Sequence, residues 1–220
     1  MFLVTDTMIC TLERLGIKIS RILELYKEIS GNGQRFIDEI FEAEIYKWAC
    51  PQLTIVDIGA YEGEFGYYCY NFARKIYSIE PDPRPYKILQ KHIKDYELDK
   101  MQCFPIAISG KSGKRMFNPS GYGGSTLLGP DGGGEGIIEV DSLTLKDFFE
   151  ENNIHHVDIL KIDAESSEYE IFKTPDFKNV AERIVTIIGE SHGGVDQLKE
   201  VFEPLEFNII SKESIFVAKR

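Results

Sequence analysis

Residues 55–66 read IVDIGAYEGEFG, a largely β-branched run that stops at an aspartate and then passes through Gly59, Gly63 and Gly66. The run from Leu53 predicts a buried strand, and the glycines predict a tight turn into a helix beginning at Glu64. Strand, glycine turn and helix in that order open a parallel α/β sheet. A turn of this kind brings backbone close to a ligand, so its spacing discriminates between ligands. A dinucleotide fingerprint needs G-x-G-x-x-G, whereas Gly59 is followed here by Ala60 and Tyr61. The tyrosine side chain falls where a pyrophosphate needs bare backbone. Asp57, at the strand's C-terminal end, repels a diphosphate and suits a cationic or amino-bearing ligand.

The rest of the chain repeats the alternation. Strand-like runs begin at Leu53 (LTIVDI), Lys75 (KIYSIE), Met101 (MQCFPIAI), Val157 (VDILKID), Arg183 (RIVTIIGE), Phe207 (FNII) and Ser214 (SIFVAK). Helical patterns lie between them over 64–73, 83–96, 142–152 with Ser142 as N-cap, 166–173 and 195–202. The last two strands are three residues apart and must form an antiparallel hairpin. The expected fold is α/β, a doubly wound and mostly parallel seven-stranded sheet with an antiparallel last strand. N-terminal helices broken at Gly31-Asn32-Gly33 precede it, giving a helical cap over 1–50 and a ligand-binding domain over 51–220. The glycine-rich stretch Ser120–Gly136 is expected to lack regular structure, as a surface loop or as a lid held by Ser125 and Thr126.

Composition limits the function. At 220 residues and 43% hydrophobic content the chain can bury one core. A net charge of -11 argues against a surface that tracks phosphate backbones. Lys87, Lys91 and Lys94 read as a solvated helix face. The four cysteines show no paired spacing, in keeping with a reducing cytoplasm. Asp6, Glu13 and Arg14 interrupt the apolar N-terminus, so neither a signal peptide nor a membrane span is expected.

The second strand ends in SIEPDP, which places Glu80 to accept hydrogen bonds from a ribose diol. Aspartate, glycine turn and distal glutamate together describe a site for an adenosyl group with a positively charged amino-acid tail, as in S-adenosylmethionine. Chemistry should collect at the C-terminal ends of the central strands. Asp163 and Glu165 end the fourth predicted strand, and Glu190 and His192 end the fifth. His192 can take a hydroxyl proton, with Glu190 orienting it or acting as base itself. The same four side chains could hold a divalent cation, but carboxylates at strand ends more often serve a cofactor or a hydrogen bond, so no metal is expected. A nicotinamide-dependent oxidoreductase is the nearest rival, opposed by Tyr61 and the terminal hairpin. A non-catalytic relative acting through a protein partner is the other.

The segments VDIGAYEGEFG, SIEPDP, IAISGKSGK, Ser125-Thr126-Leu127, VDSLTLKDFF and LKIDAESSEYEIF, in that order, resemble the FkbM family of S-adenosylmethionine-dependent methyltransferases from about Leu53 to Ile210. The resemblance implies a Rossmann-like fold and methylation of a hydroxyl on a sugar or other small metabolite, and the acidic balance leaves no nucleic-acid partner expected, nor the N-terminus a membrane. Homodimerisation is compatible with it. By the same resemblance Asp57, Gly59, Ala60 and Gly63 line the methionine part of the cofactor, Glu80 the ribose, and Ala107 and Ile108 the adenine. Ser166 stands where the family commonly has glycine, which bears on the acceptor side.

Overall fold

The computed structural model describes residues 52–120, 125–128, 136–165, 167–192, 194–212 and 214–220. The expected N-terminal helices and Ser166 lie outside these. Along the chain come β1 (Leu53–Ile58), α1 (Glu64–Cys69), β2 (Ala73–Ile79), α2 (Pro83–Asp95) and β3 (Met101–Phe104). Four short strands follow: β4 (Ala107–Ile108), β5 (Gly113–Asn118), β6 (Thr126–Leu127) and β7 (Ile138–Leu143). The last section holds α3 (Leu145–Glu151), β8 (Val157–Ile162), α4 (Glu168–Phe172), α5 (Pro175–Val180), β9 (Ile184–Glu190), α6 (Val195–Phe202), β10 (Asn208–Lys212) and β11 (Ile215–Lys219).

The main sheet has seven strands in the order β10-β11-β9-β8-β1-β2-β3. β1 is central and buried at every residue. Its alternate side chains enter different cores, Val56 and Ile58 on one face and Leu53 and Ile55 on the other. Apolar cover on both faces explains why this strand shows no polar alternation. All pairings among β3, β2, β1, β8 and β9 are parallel, and β11 runs antiparallel between β9 and β10. The mixed sheet read from the sequence is therefore present. A tilted cluster of Phe172, Phe177, Phe202, Phe207 and Phe216 fills the core beside the hairpin.

Three expectations need correction. The run from Met101 is two strands, because Pro105 lacks the N–H a continuous ladder needs. β3 stays in the main sheet, and β4 joins a second, four-stranded sheet of order β4-β7-β5-β6. The helix expected from Ser142 starts at Leu145, capped by Thr144, whose side chain accepts from the Asp147 N–H. Ser142 is held instead in β7, paired with both Ala107 and Gly113. The glycine-rich stretch is not wholly irregular, since Thr126–Leu127 pairs with β5 as β6. Among the described residues no helix is long and apolar enough to cross a membrane.

The junction after β1 decides where the site lies. Gly59 has φ +70, and a Cβ there would stand 1.8 Å from the Asp163 carbonyl oxygen. Its lack of a side chain thus lets β1 turn against the end of β8. Gly59→Ala is expected to cost about 2–5 kcal/mol, from a left-handed backbone plus a contact with immovable main chain. A lower denaturant midpoint with an unchanged m-value checks this, and a midpoint equal to wild type contradicts it.

Candidate functional site

The turn has spent four of its backbone donors within the protein. The N–H groups of Gly59 and Ala60 both reach the Ile79 carbonyl at 3.0 Å, and that of Gly63 reaches the Ala60 carbonyl at 2.8 Å. The Tyr61 N–H donates to Glu80 Oε2 at 2.8 Å. Tyr61 adopts a left-handed φ of 50, unusual for a bulky residue and held by that carboxylate. Glu80 Oε1 accepts from the Asp82 N–H at 2.7 Å, so one side chain fastens the turn to the end of β2. Desolvation by burial pushes the Glu80 carboxyl up to about 7, against the pull of its two backbone N–H donors. Glu64, at the start of α1, is likewise pushed up to about 7 by burial.

Asp57 is fully buried and reaches a ligand only through its neighbours. Lys161, from β8, lies with its Nζ 3.2 Å from Asp57 Oδ1. The same ammonium donates to the carbonyls of Gly59 at 2.6 Å and Ile58 at 3.4 Å. Burial disfavours its charge, but the carboxylates of Asp57, Asp163 and Glu64 outweigh that and raise its pKa. The cation expected opposite Asp57 is thus built into the protein. Asp57 does not cap α1, whose N-cap is Gly63. Ala60, Ala107 and Ile108 are also buried, so any ligand would meet their backbone rather than their side chains. Gly63 is closed in as well, with Leu89 Cδ1 and the Tyr67 ring less than 3 Å from where a Cβ would sit.

On the other side of the crevice Asp163, Glu165 and His192 each bring one ligand-type atom within 4.8 Å of the other two. His192 Nε2 lies 3.4 Å from Glu165 Oε2 and Nδ1 lies 3.1 Å from Glu168 Oε1. Glu168 is 2% exposed and also accepts from the Ala164 N–H at 2.9 Å. Desolvation works against a charged imidazole, yet Glu168, Glu165 and Asp163 together raise the His192 pKa above its ordinary value. The spacing admits a divalent cation, and a protonated ring would serve these carboxylates as a positive partner in its place. Glu190 turns to the hairpin, where it accepts from Ser214 Oγ at 2.8 Å. The histidine's companion was therefore missed in the sequence. It stands two residues after Ser166 inside ESSEYE, and only the α4 start brings it beneath the ring.

Two hydroxyls from the glycine-rich stretch close the crevice. Ser125 Oγ donates to Asp82 Oδ2 at 2.8 Å, and Thr126 Oγ1 donates to the Glu165 carbonyl at 2.9 Å. The segment thus touches the ends of both β2 and β8.

Comparisons with known proteins fit this architecture. A family model described as the methyltransferase FkbM domain matches residues 57–209. No curated protein matches. Among solved structures, TrmK of M. capricolum in complex with S-adenosyl-homocysteine is 15% identical, with a TM-score of 0.50 over 80% of this chain and 66% of that one. A precorrin-6y C5,15-methyltransferase from Geobacter metallireducens is 12% identical, with a TM-score of 0.47 over 78% of this chain and 81% of that one. A SAM dependent methyltransferase from Aquifex aeolicus is 11% identical, with a TM-score of 0.44 over 90% and 95%. At such identities the likeness to TrmK speaks to fold alone, whereas the family match spans most of the described chain and both halves of the site. The chain belongs to the FkbM methyltransferase family.

Proposed function

We propose that this protein is an S-adenosylmethionine-dependent O-methyltransferase acting on a hydroxyl of a sugar or another small metabolite. The observation that carries the reading is the state of the turn. Its N–H groups at Gly59, Ala60, Tyr61 and Gly63 are satisfied internally, while Glu62, Glu64, Glu80 and Asp82 surround it. Such a turn lacks the donors that cradle a pyrophosphate and supplies the negative field that attracts a sulfonium and an ammonium. The oxygens of Glu80 also retain acceptor capacity for a ribose diol.

When bound, the cofactor supplies an electrophilic methyl group for in-line displacement. The chain's own part is to align an acceptor oxygen and take its proton. We assign the second task to His192, which follows β9. As the hydroxyl proton moves to Nε2, the imidazolium that forms is stabilised by Glu168 behind Nδ1 and by Glu165 and Asp163 beside it. A small-molecule acceptor suits the chain's net charge of -11.

Transfer of labelled methyl from S-adenosylmethionine to a panel of sugars and hydroxylated metabolites tests the activity. His192→Ala should lose on the order of 10²–10⁴ in turnover, the usual worth of a positioned base, and retain cofactor affinity. Full turnover in that variant removes the histidine from the mechanism. Because the His192 pKa is raised, its neutral, basic form appears only above the ordinary histidine range. Turnover should climb with pH through a midpoint above the ordinary histidine value of about 6.5, and a rate already maximal below it contradicts this assignment. Transfer should persist in chelator, and its loss with recovery on added magnesium or manganese would assign the Asp163, Glu165 and His192 cluster to a metal.

The ribose contact has its own signature. A carboxyl pushed up to about 7 is largely protonated below that pH and accepts diol hydrogen bonds best above it. Affinity for S-adenosylhomocysteine should therefore weaken as pH falls through about 7, and less so in Glu80→Gln. An identical pH dependence in wild type and variant would take Glu80 out of the ribose contact.

A further inference from the structure

Glu165 has a left-handed backbone, φ 47, with no glycine to make it easy. For an L-residue that conformation costs about 1–2 kcal/mol and persists only where its surroundings enforce it. The turn around it is short: the Ser167 N–H returns to the Ala164 carbonyl at 3.2 Å, and the Ala164 N–H is taken by Glu168 Oε1 at 2.9 Å. Those bonds bracket Glu165 without holding its own carbonyl. The Thr126 hydroxyl does so, at 2.9 Å from the far side of the crevice. Its other acceptor, the adjacent Leu127 carbonyl, lies at 3.3 Å and is the weaker partner. With the carbonyl so fixed, the Glu165 carboxylate points at His192 Nε2, 3.4 Å away.

We infer that Thr126 is a positioning residue for the acceptor side of the site. Its hydroxyl locks Glu165 in the left-handed conformation that aims the carboxylate at His192. Ser125, bonded to Asp82 at the end of β2, sets the depth at which its neighbour reaches across. The same four-residue stretch thereby ties the cofactor side to the proton-accepting side, so an ordered crevice and an aligned base are formed together. This rests on the proposed role of His192 for its catalytic meaning, but not for its physical content.

Thr126→Val keeps the shape of the side chain and removes the hydroxyl, and Thr126→Ser keeps the hydroxyl. The charged groups facing His192 are Glu168 from α4, with Asp163 and Glu165 from the segment after β8. Withdrawing Glu165 alone must lower the histidine's titration midpoint. In ¹³C-histidine NMR, with the His192 signal identified by its loss in His192→Gln, Thr126→Val should move that midpoint down toward an ordinary histidine. The other three histidines should not move, and Thr126→Ser should restore the wild-type value. An unchanged His192 midpoint in Thr126→Val overturns the inference, as does a shift shared by every histidine, which would report general loosening. The readout needs neither cofactor nor acceptor, so a failed methyl-transfer assay leaves it intact.

Discussion

Everything at this site hangs on the ammonium of Lys161 beneath the glycine turn. It is almost fully buried and joins β8 to the end of β1 through Asp57 and the carbonyls of Ile58 and Gly59. A lone charge in that position would be untenable, and removing either partner of a buried pair typically costs about 3–5 kcal/mol. The pair also fixes distance. With Gly59 pressed against the Asp163 carbonyl, the turn that begins the cofactor crevice and the acidic loop that bounds its acceptor side have little freedom to slide apart. The two halves of the proposed site are thus built on one junction between two parallel strands.

Charge then sorts the ligands. The lysine cancels Asp57, so the field above the turn is set by the remaining carboxylates, two of which burial holds near neutrality at about 7. A positively charged ligand relieves that cost by favouring their ionised forms, whereas a diphosphate would find repulsion and occupied N–H groups. Across the crevice the same economy appears in reverse: His192 is kept basic by Glu168 beneath it and Glu165 beside it. Acid and base halves face each other over a gap crossed by Ser125 and Thr126.

Much of this could be read from the chain, because strands covered on both faces announce themselves as unbroken apolar runs. LTIVDI and VDILKID were legible for that reason, and the close spacing of the last two apolar runs made the terminal hairpin unavoidable. The second sheet was not legible, since β4 and β6 are two residues each and β4 draws its stability from β7, far along the chain. Ser142 and Thr144 illustrate the limit of local signals: both can cap a helix, and only pairing of Ser142 in β7 assigns the cap to Thr144. At the candidate site, residue type and strand-end position singled out Asp163, Glu165 and His192, which the fold brings together. They misjudged the partner of the histidine, because Glu190 and Glu168 are the same residue type and only tertiary placement separates them. Asp57 was found for its charge, yet its built-in counter-ion, Lys161, looked like one more residue in an apolar strand.

The central claim is that the turn after β1 receives an S-adenosyl compound and rejects a dinucleotide. Calorimetric titration of the protein with S-adenosylhomocysteine, with NAD as the comparison, tests it most directly. Saturable one-site binding of the first at micromolar concentration, with no heat from the second, is the predicted result. Binding of NAD in preference to S-adenosylhomocysteine, or of neither, would contradict the account.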